Sequence, residues 1–96
     1  MRQVLLVTYD VSDDRRRERV FRILRGFGDH LQLSVFCCEI SGSELVRLRT
    51  RLAEAIHQGE DQVLFADLGP ATGRGRRAIT AMGKPYTRPE RHAIIY

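Results

Sequence analysis

The feature that most restricts the fold is an apolar run, VLLVTY at residues 4–9, that stops on Asp10. A strand with one solvated face alternates apolar and polar residues. This run does not alternate, so it reads as a strand covered on both faces or set at the centre of a sheet. A helix follows at once. Ser12 stands where an N-cap belongs, and Asp13 and Asp14 occupy a first turn that favours negative charge. Val20, Ile23, Leu24 and Phe27 recur at i, i+3, i+4 and i+7, a stripe that faces the sheet. Gly26 and Gly28 supply the stop.

The next stretch, LQLSVFCCEI at 31–40, reads as extended chain, with two short strands and a break near Ser34. Its adjacent Cys37 and Cys38 point to opposite faces of a strand, so they are placed as small buried hydrophobes rather than as a disulfide. SGSE at 41–44 has the form of a capping box from Ser41 to Glu44, ahead of a helix bearing Leu45, Leu48, Leu52 and Ile56, with Gly59 as its end. QVLFADL at 62–68 is another buried strand. The order predicts an α+β fold: a ferredoxin-like βαββαβ sandwich with both helices on one sheet face.

After Gly69 and Pro70 the character changes, and the chain divides into a core at 1–70 and a tail at 71–96. ATGRGRR at 71–77 is expected as a flexible basic loop, which reads equally as plain surface or as an arm that grips phosphate. AITAM at 78–82 is a short-strand candidate, and GKPYTRPER at 83–91 a linker. HAIIY at 92–96 is expected as an additional C-terminal strand packing on a partner subunit in a homodimer, since a small domain gains by burying apolar area between copies.

Charge narrows the partners. Lys and Arg number 16 against 12 Asp and Glu, a net +4, which suits nucleic acid or an acidic membrane surface. Lys84 is the only lysine; the arginine bias fits bidentate phosphate contacts and fits a GC-rich genome equally well. Neither a signal peptide nor a membrane-spanning apolar run is evident, so the expected location is the cytoplasm. His30, His57 and His92 lack zinc-ligand spacing, and Ser12 and Ser34 lack a partner set for nucleophilic catalysis.

On a helical wheel Arg16 shares the apolar stripe of the first helix, and Arg17 and Arg19 flank it on either side. Arg15, Arg22 and Arg25 point outward as a solvated face, with Glu18 an i,i+4 partner for Arg22. Asp10 reads either as a turn cap or as a metal ligand; Mg²⁺ takes one or two carboxylates and keeps its waters.

The stretches VTYDVSDDRRRERV and QLSVFCCEI together resemble the small CRISPR-associated adaptation protein family, the partner of the CRISPR integrase, over residues 3 to about 68. That resemblance implies a metal-binding Asp10 contributed by both subunits of a homodimer, with Mg²⁺ or Mn²⁺. It implies a catalytic neighbourhood of Asp10, Tyr9, Arg17 and Arg19, and it places Ser34 and Phe36 in the second motif. It implies a C-terminal strand laid on the partner's sheet. From the helical wheel and the basic loop, Arg16, Arg17, Arg19, Arg74, Arg76 and Arg77 are expected to contact nucleic-acid phosphates. Members are described as metal-dependent nucleases on single-stranded RNA or double-stranded DNA, and as DNA-binding scaffolds beside the integrase; a related toxin-type ribonuclease is a further alternative. The sequence departs from the pattern in two ways: Asp29 and His30 stand where Arg is frequent, and Leu33 where an aromatic is frequent.

Overall fold

The computed structural model describes residues 1–86. Its elements are β1 (Gln3–Asp10), α1 (Asp14–Arg25), β2 (Asp29–Gln32), β3 (Val35–Ile40), α2 (Gly42–Ala55), β4 (Gln62–Pro70) and a 3₁₀ turn, Arg74–Arg77. The four strands form one sheet in the order β2-β3-β1-β4, every neighbour antiparallel. Each helix crosses over one strand of the other unit, so the two βαβ units interlock in the ferredoxin-like manner that the element order implied.

The apolar run explains why β1 is central. Leu5, Val7 and Tyr9 enter the main core beneath the helices, where they meet Val20 and Leu24 of α1, Phe36 and Cys38 of β3, and Leu48 and Leu52 of α2. On the opposite face Val4 joins Cys37 and Ala71 in a smaller cluster. The adjacent cysteines therefore divide between the two faces; both are buried and neither forms a disulfide. The expected break near Ser34 falls between β2 and β3. The capping box is present in full: Ser41 Oγ accepts from the Glu44 N–H at 3.2 Å, and Glu44 accepts from the Ser41 N–H at 2.8 Å.

Several local expectations need correction. The N-cap of α1 is Asp13, whose carboxylate accepts from the Arg16 N–H at 3.0 Å. Ser12 is one residue too early, and its N–H turns to Asp61 instead. Helix α2 ends at Ala55 with Ile56 as its cap, ahead of Gly59. The 71–77 stretch is not a free loop: it folds into the 3₁₀ turn, and Gly75 is buried against Val4 and the Gly69 carbonyl. No strand forms at 78–82. HAIIY, and with it the additional C-terminal strand, lies outside the described residues.

Gly28 helps to stop α1, its N–H donating to the Leu24 carbonyl at 2.9 Å, and has a second role as well. Gly26 caps α1, its N–H reaching the carbonyls of Arg22 and Ile23. At Gly28 the chain passes so close to β3 that a Cβ would stand 2.5 Å from the Cys37 carbonyl oxygen and 2.6 Å from Cys38 Sγ. Gly28→Ala must therefore push α1 away from the sheet. We expect a loss of about 1–3 kcal/mol, read as a lower urea midpoint with an unchanged slope; Gly42→Ala, where a Cβ meets nothing within 4 Å, is the matched control.

Candidate functional site

By strand alternation Tyr9 turns toward the helices, and Asp10 belongs to the face that lacks them, at the rim where β1 ends. An open groove of about 530 Å³ begins there. Tyr9, Asp10 and Val11 form its floor, and α1 supplies one wall with Arg17, Glu18 and Phe21. Leu33 and Ser34, from the β2–β3 turn, close the other side.

Packing fixes this floor. The Tyr9 ring lies 6.3 Å from Phe36, which meets Phe21 edge-on at 5.4 Å and His30 at 4.9 Å. Phe36 is wholly buried. It supports the groove and offers no surface to a ligand. The Tyr9 N–H donates to the Ser34 carbonyl at 3.1 Å, tying the turn to β1. Burial pushes the Tyr9 hydroxyl above its ordinary pKa, opposed by the nearby Arg17 charge. His30 Nε2 bonds the Leu33 carbonyl at 2.7 Å, and the Leu33 side chain is left almost fully exposed.

The arginines separate. Arg17 enters the groove, held by a hydrogen bond to the Val11 carbonyl at 3.0 Å and an ion pair with Asp14. Arg19 lies on the other flank of α1 and does not line the groove. Arg16 is committed elsewhere: its Nε stands 2.7 Å from Asp61 and its Nη2 3.2 Å from Glu60. Arg74, Arg76 and Arg77 sit beside Val4, at the opposite end of β1 from Asp10. Six residues of strand, roughly 20 Å, separate them within one chain.

Sequence reasoning missed Asp61. Its side chain is fully enclosed and accepts from the Ser12 N–H at 3.3 Å, the His57 N–H at 2.8 Å and both Nε and Nη2 of Arg16. Arg16 above all, then the two backbone donors, holds this carboxyl far below the usual carboxylate range. One residue thus joins the α2–β4 turn to the β1–α1 junction that carries the groove. Topology was the available signal, because Asp10 pairs with Gln62 across the sheet and so brings residue 61 beside residues 11 and 12.

A metal must be tested against these donors. Among the described residues no three His, Cys, Asp or Glu side chains converge. Asp10 is exposed, and among the described residues its carboxylate has no hydrogen-bond or ion-pair partner. A hard, unpaired carboxylate suits a hard cation, so Asp10 is a suitable donor but not, alone, a complete site.

The model of the family CRISPR associated protein Cas2 matches residues 2–73. The chain belongs to the Cas2 family. A CRISPR-associated endoribonuclease Cas2 of Geobacter sulfurreducens is 35% identical over 95 residues, covering 99% of both chains. A second relative of that description, from Rhodospirillum rubrum, is 37% identical over 94% of this chain and 87% of its own. Among solved structures, Streptococcus pyogenes Cas2 superposes with a TM-score of 0.72 at 29% identity, covering 83% of this chain and 99% of that one. A hypothetical protein of Thermus thermophilus reaches 0.76 at 27% identity, over 93% and 100%. The span matched to Cas2 contains the entire groove and Asp61, whereas Arg74, Arg76 and Arg77 follow it.

Asp61→Asn keeps the shape of the clasp and removes its charge. Because the folded-state pKa is depressed, the stability this carboxylate contributes is fully present above its unfolded value near 3.9 and is lost as pH falls further toward the folded value. Melts between pH 7 and pH 2 should show the wild type losing stability in acid. The variant should melt lower at neutral pH and lack that limb of the acid response.

Proposed function

We propose that this chain is a nucleic-acid-binding homodimer of CRISPR spacer acquisition that acts with the integrase in the cytoplasm and cleaves phosphodiesters of RNA or duplex DNA with a divalent metal. The observation that carries the reading is Asp10: exposed, without a partner among the described residues, and set in a groove with the anchored guanidinium of Arg17. Membership of a family whose curated relatives are described as endoribonucleases supports it. Among the described residues no helix is long and apolar enough to cross a membrane, which fits the reading.

Two copies of Asp10, one from each subunit, would hold Mg²⁺ or Mn²⁺. Such an ion would supply Lewis-acid polarisation of a phosphoryl oxygen and a more acidic water. Arg17 faces the phosphate and stabilises its charge. The tether to Val11 and Asp14 orients that guanidinium in advance. Tyr9 and Phe21 give the groove apolar lining beside the charged groups.

The helix-free sheet face supports the dimer. There Leu6 and Thr8 of β1 stand opposite Ala66 and Leu64 of β4, and the 3₁₀ turn covers only the end near Val4. Leu64 is 55% exposed. An apolar residue on an uncovered sheet face fits a second copy. A scaffold that binds duplex DNA without cleaving it is the second reading, favoured because among the described residues no three metal-ligating side chains converge.

Two measurements test these statements. Asp10→Asn should abolish Mn²⁺-dependent cleavage of RNA and duplex DNA. In melts, Mn²⁺ at about a hundred times its dissociation constant should stabilise the wild type by about 2.7 kcal/mol and leave the variant unmoved. An equal metal response in both makes Asp10 a turn residue, and metal stabilisation without cleavage selects the scaffold. Leu64→Glu should convert the dimer to monomer in sedimentation, since each copy forfeits about 1.5–3 kcal/mol of apolar burial and gains a charge to desolvate. A dimer as tight as wild type removes this face from the interface.

A further inference from the structure

Most of the arginines are neither in the groove nor in the Asp61 clasp. At 100° per residue, Arg15, Arg22 and Arg25 lie opposite the buried Val20 and Leu24 on α1. Arg19 follows Arg16 on the flank whose neighbour reaches the α2–β4 turn. Helix α2 packs beside α1 and adds Arg47 and Arg51, an i,i+4 pair. The Arg51 guanidinium stands 5.9 Å from the ring of Phe27, just past the end of α1, which sets it at the seam between the helices.

These six arginines share the helix layer's solvent face with Asp14, Glu18 and Glu54. The face is net +3, most of the chain's +4. Glu18 is taken up by Arg22. Arg19 and Arg47 are exposed and have no partner among the described residues.

A face that only needs solvating would mix its signs. This one sets arginines at i,i+3 and i,i+4 from each other (Arg15 with Arg19, Arg19 with Arg22, Arg22 with Arg25, Arg47 with Arg51), and like charges at those spacings destabilise a helix. An anionic partner reverses the sign of that term.

We propose that the solvent face of the helix layer is a second phosphate-binding surface, one that takes the backbone of a nucleic-acid duplex without reading its bases. The proposal rests on the reading of the chain as a nucleic-acid-binding protein and assigns a surface outside the Asp10 groove, which it adjoins at Glu18. Arginine grips phosphate oxygens bidentately, and an i,i+4 step of about 6 Å along a helix always faces some charge of a duplex that carries one per roughly 1.7 Å. A single strand is disfavoured, because such sites expose aromatic rings for bases to stack on. Here the nearby rings, Phe21 and Phe27, are half-buried beneath Arg25 at 5.7 Å and Arg51 at 5.9 Å.

The test is the salt dependence of binding to a 30-base-pair duplex of mixed sequence, by fluorescence anisotropy without divalent metal. Each phosphate contact contributes about 0.9 to the slope of log affinity against log salt. The variant Arg19→Gln/Arg22→Gln/Arg47→Gln/Arg51→Gln should bind with a slope shallower by roughly 3–4, equally for several sequences, and should melt no lower than wild type at low salt. If that variant does not fold, Arg19→Gln/Arg47→Gln, which breaks no ion pair, should shift the slope by about 2. A wild-type slope in a folded variant overturns the proposal and leaves the face to an acidic protein. If Arg17→Gln lowers the slope and the helix-face variants do not, the groove stands and this surface falls. A wild type that binds no duplex removes both.

Discussion

The double pairing of β1 is the constraint on which the rest of the molecule depends. Because β3 and β4 flank it along its length, both helices must cross on one side, and every second residue of β1 enters the core. The same arrangement leaves the last residue, Asp10, with no core to enter. A carboxylate at the tip of a central strand is cheap to keep exposed and, in a neutral interior, costly to hide. Its position at the rim therefore follows from strand parity and strand length together.

Neighbouring arginines of α1 have been given opposite tasks by a rotation of 100° per residue. Arg16 rotates toward the α2–β4 turn and becomes part of the frame through Asp61. Arg17 rotates toward the β2–β3 turn and stays available to a ligand, held by a backbone carbonyl and an exposed acid. A buried bidentate pair and an exposed, tethered cation thus coexist in one helical turn. The first fixes the junction, and the second uses a junction already fixed.

Elements that depend on local pattern were legible in the sequence: the apolar run, the i,i+3,i+4,i+7 stripe and the Ser41–Glu44 box each encode their own structure. Asp10 was legible as the end of that run, but its role and that of Tyr9 were implied only by the family resemblance. What was not legible depends on chain segments distant in sequence. Asp61 looks like an ordinary acid before a strand until β4 is laid beside β1. Gly28 looks like no more than a helix terminator until β3 is brought against it, and the 71–77 stretch looks mobile until Gly75 meets Val4. Composition pointed to phosphate and the wheel set Arg16, Arg17 and Arg19 apart, but the commitment of Arg16 to Asp61 required three-dimensional neighbours. Asp13 in place of Ser12 as the cap is a smaller matter of one residue, decided by which side chain reaches the Arg16 N–H.

The adjacent cysteines of β3 carry one further consequence. Cys38 is sealed under both helices, while Cys37 is sealed by Val4, Ala71 and the chain that follows β4. To reach the first sulfur a reagent must wait for the helix layer to lift, which opens the main core. To reach the second it need only wait for the cover on the far face to peel back, a local opening. Two thiols one residue apart therefore time two different motions, and the protein contains its own pair of clocks for comparing them.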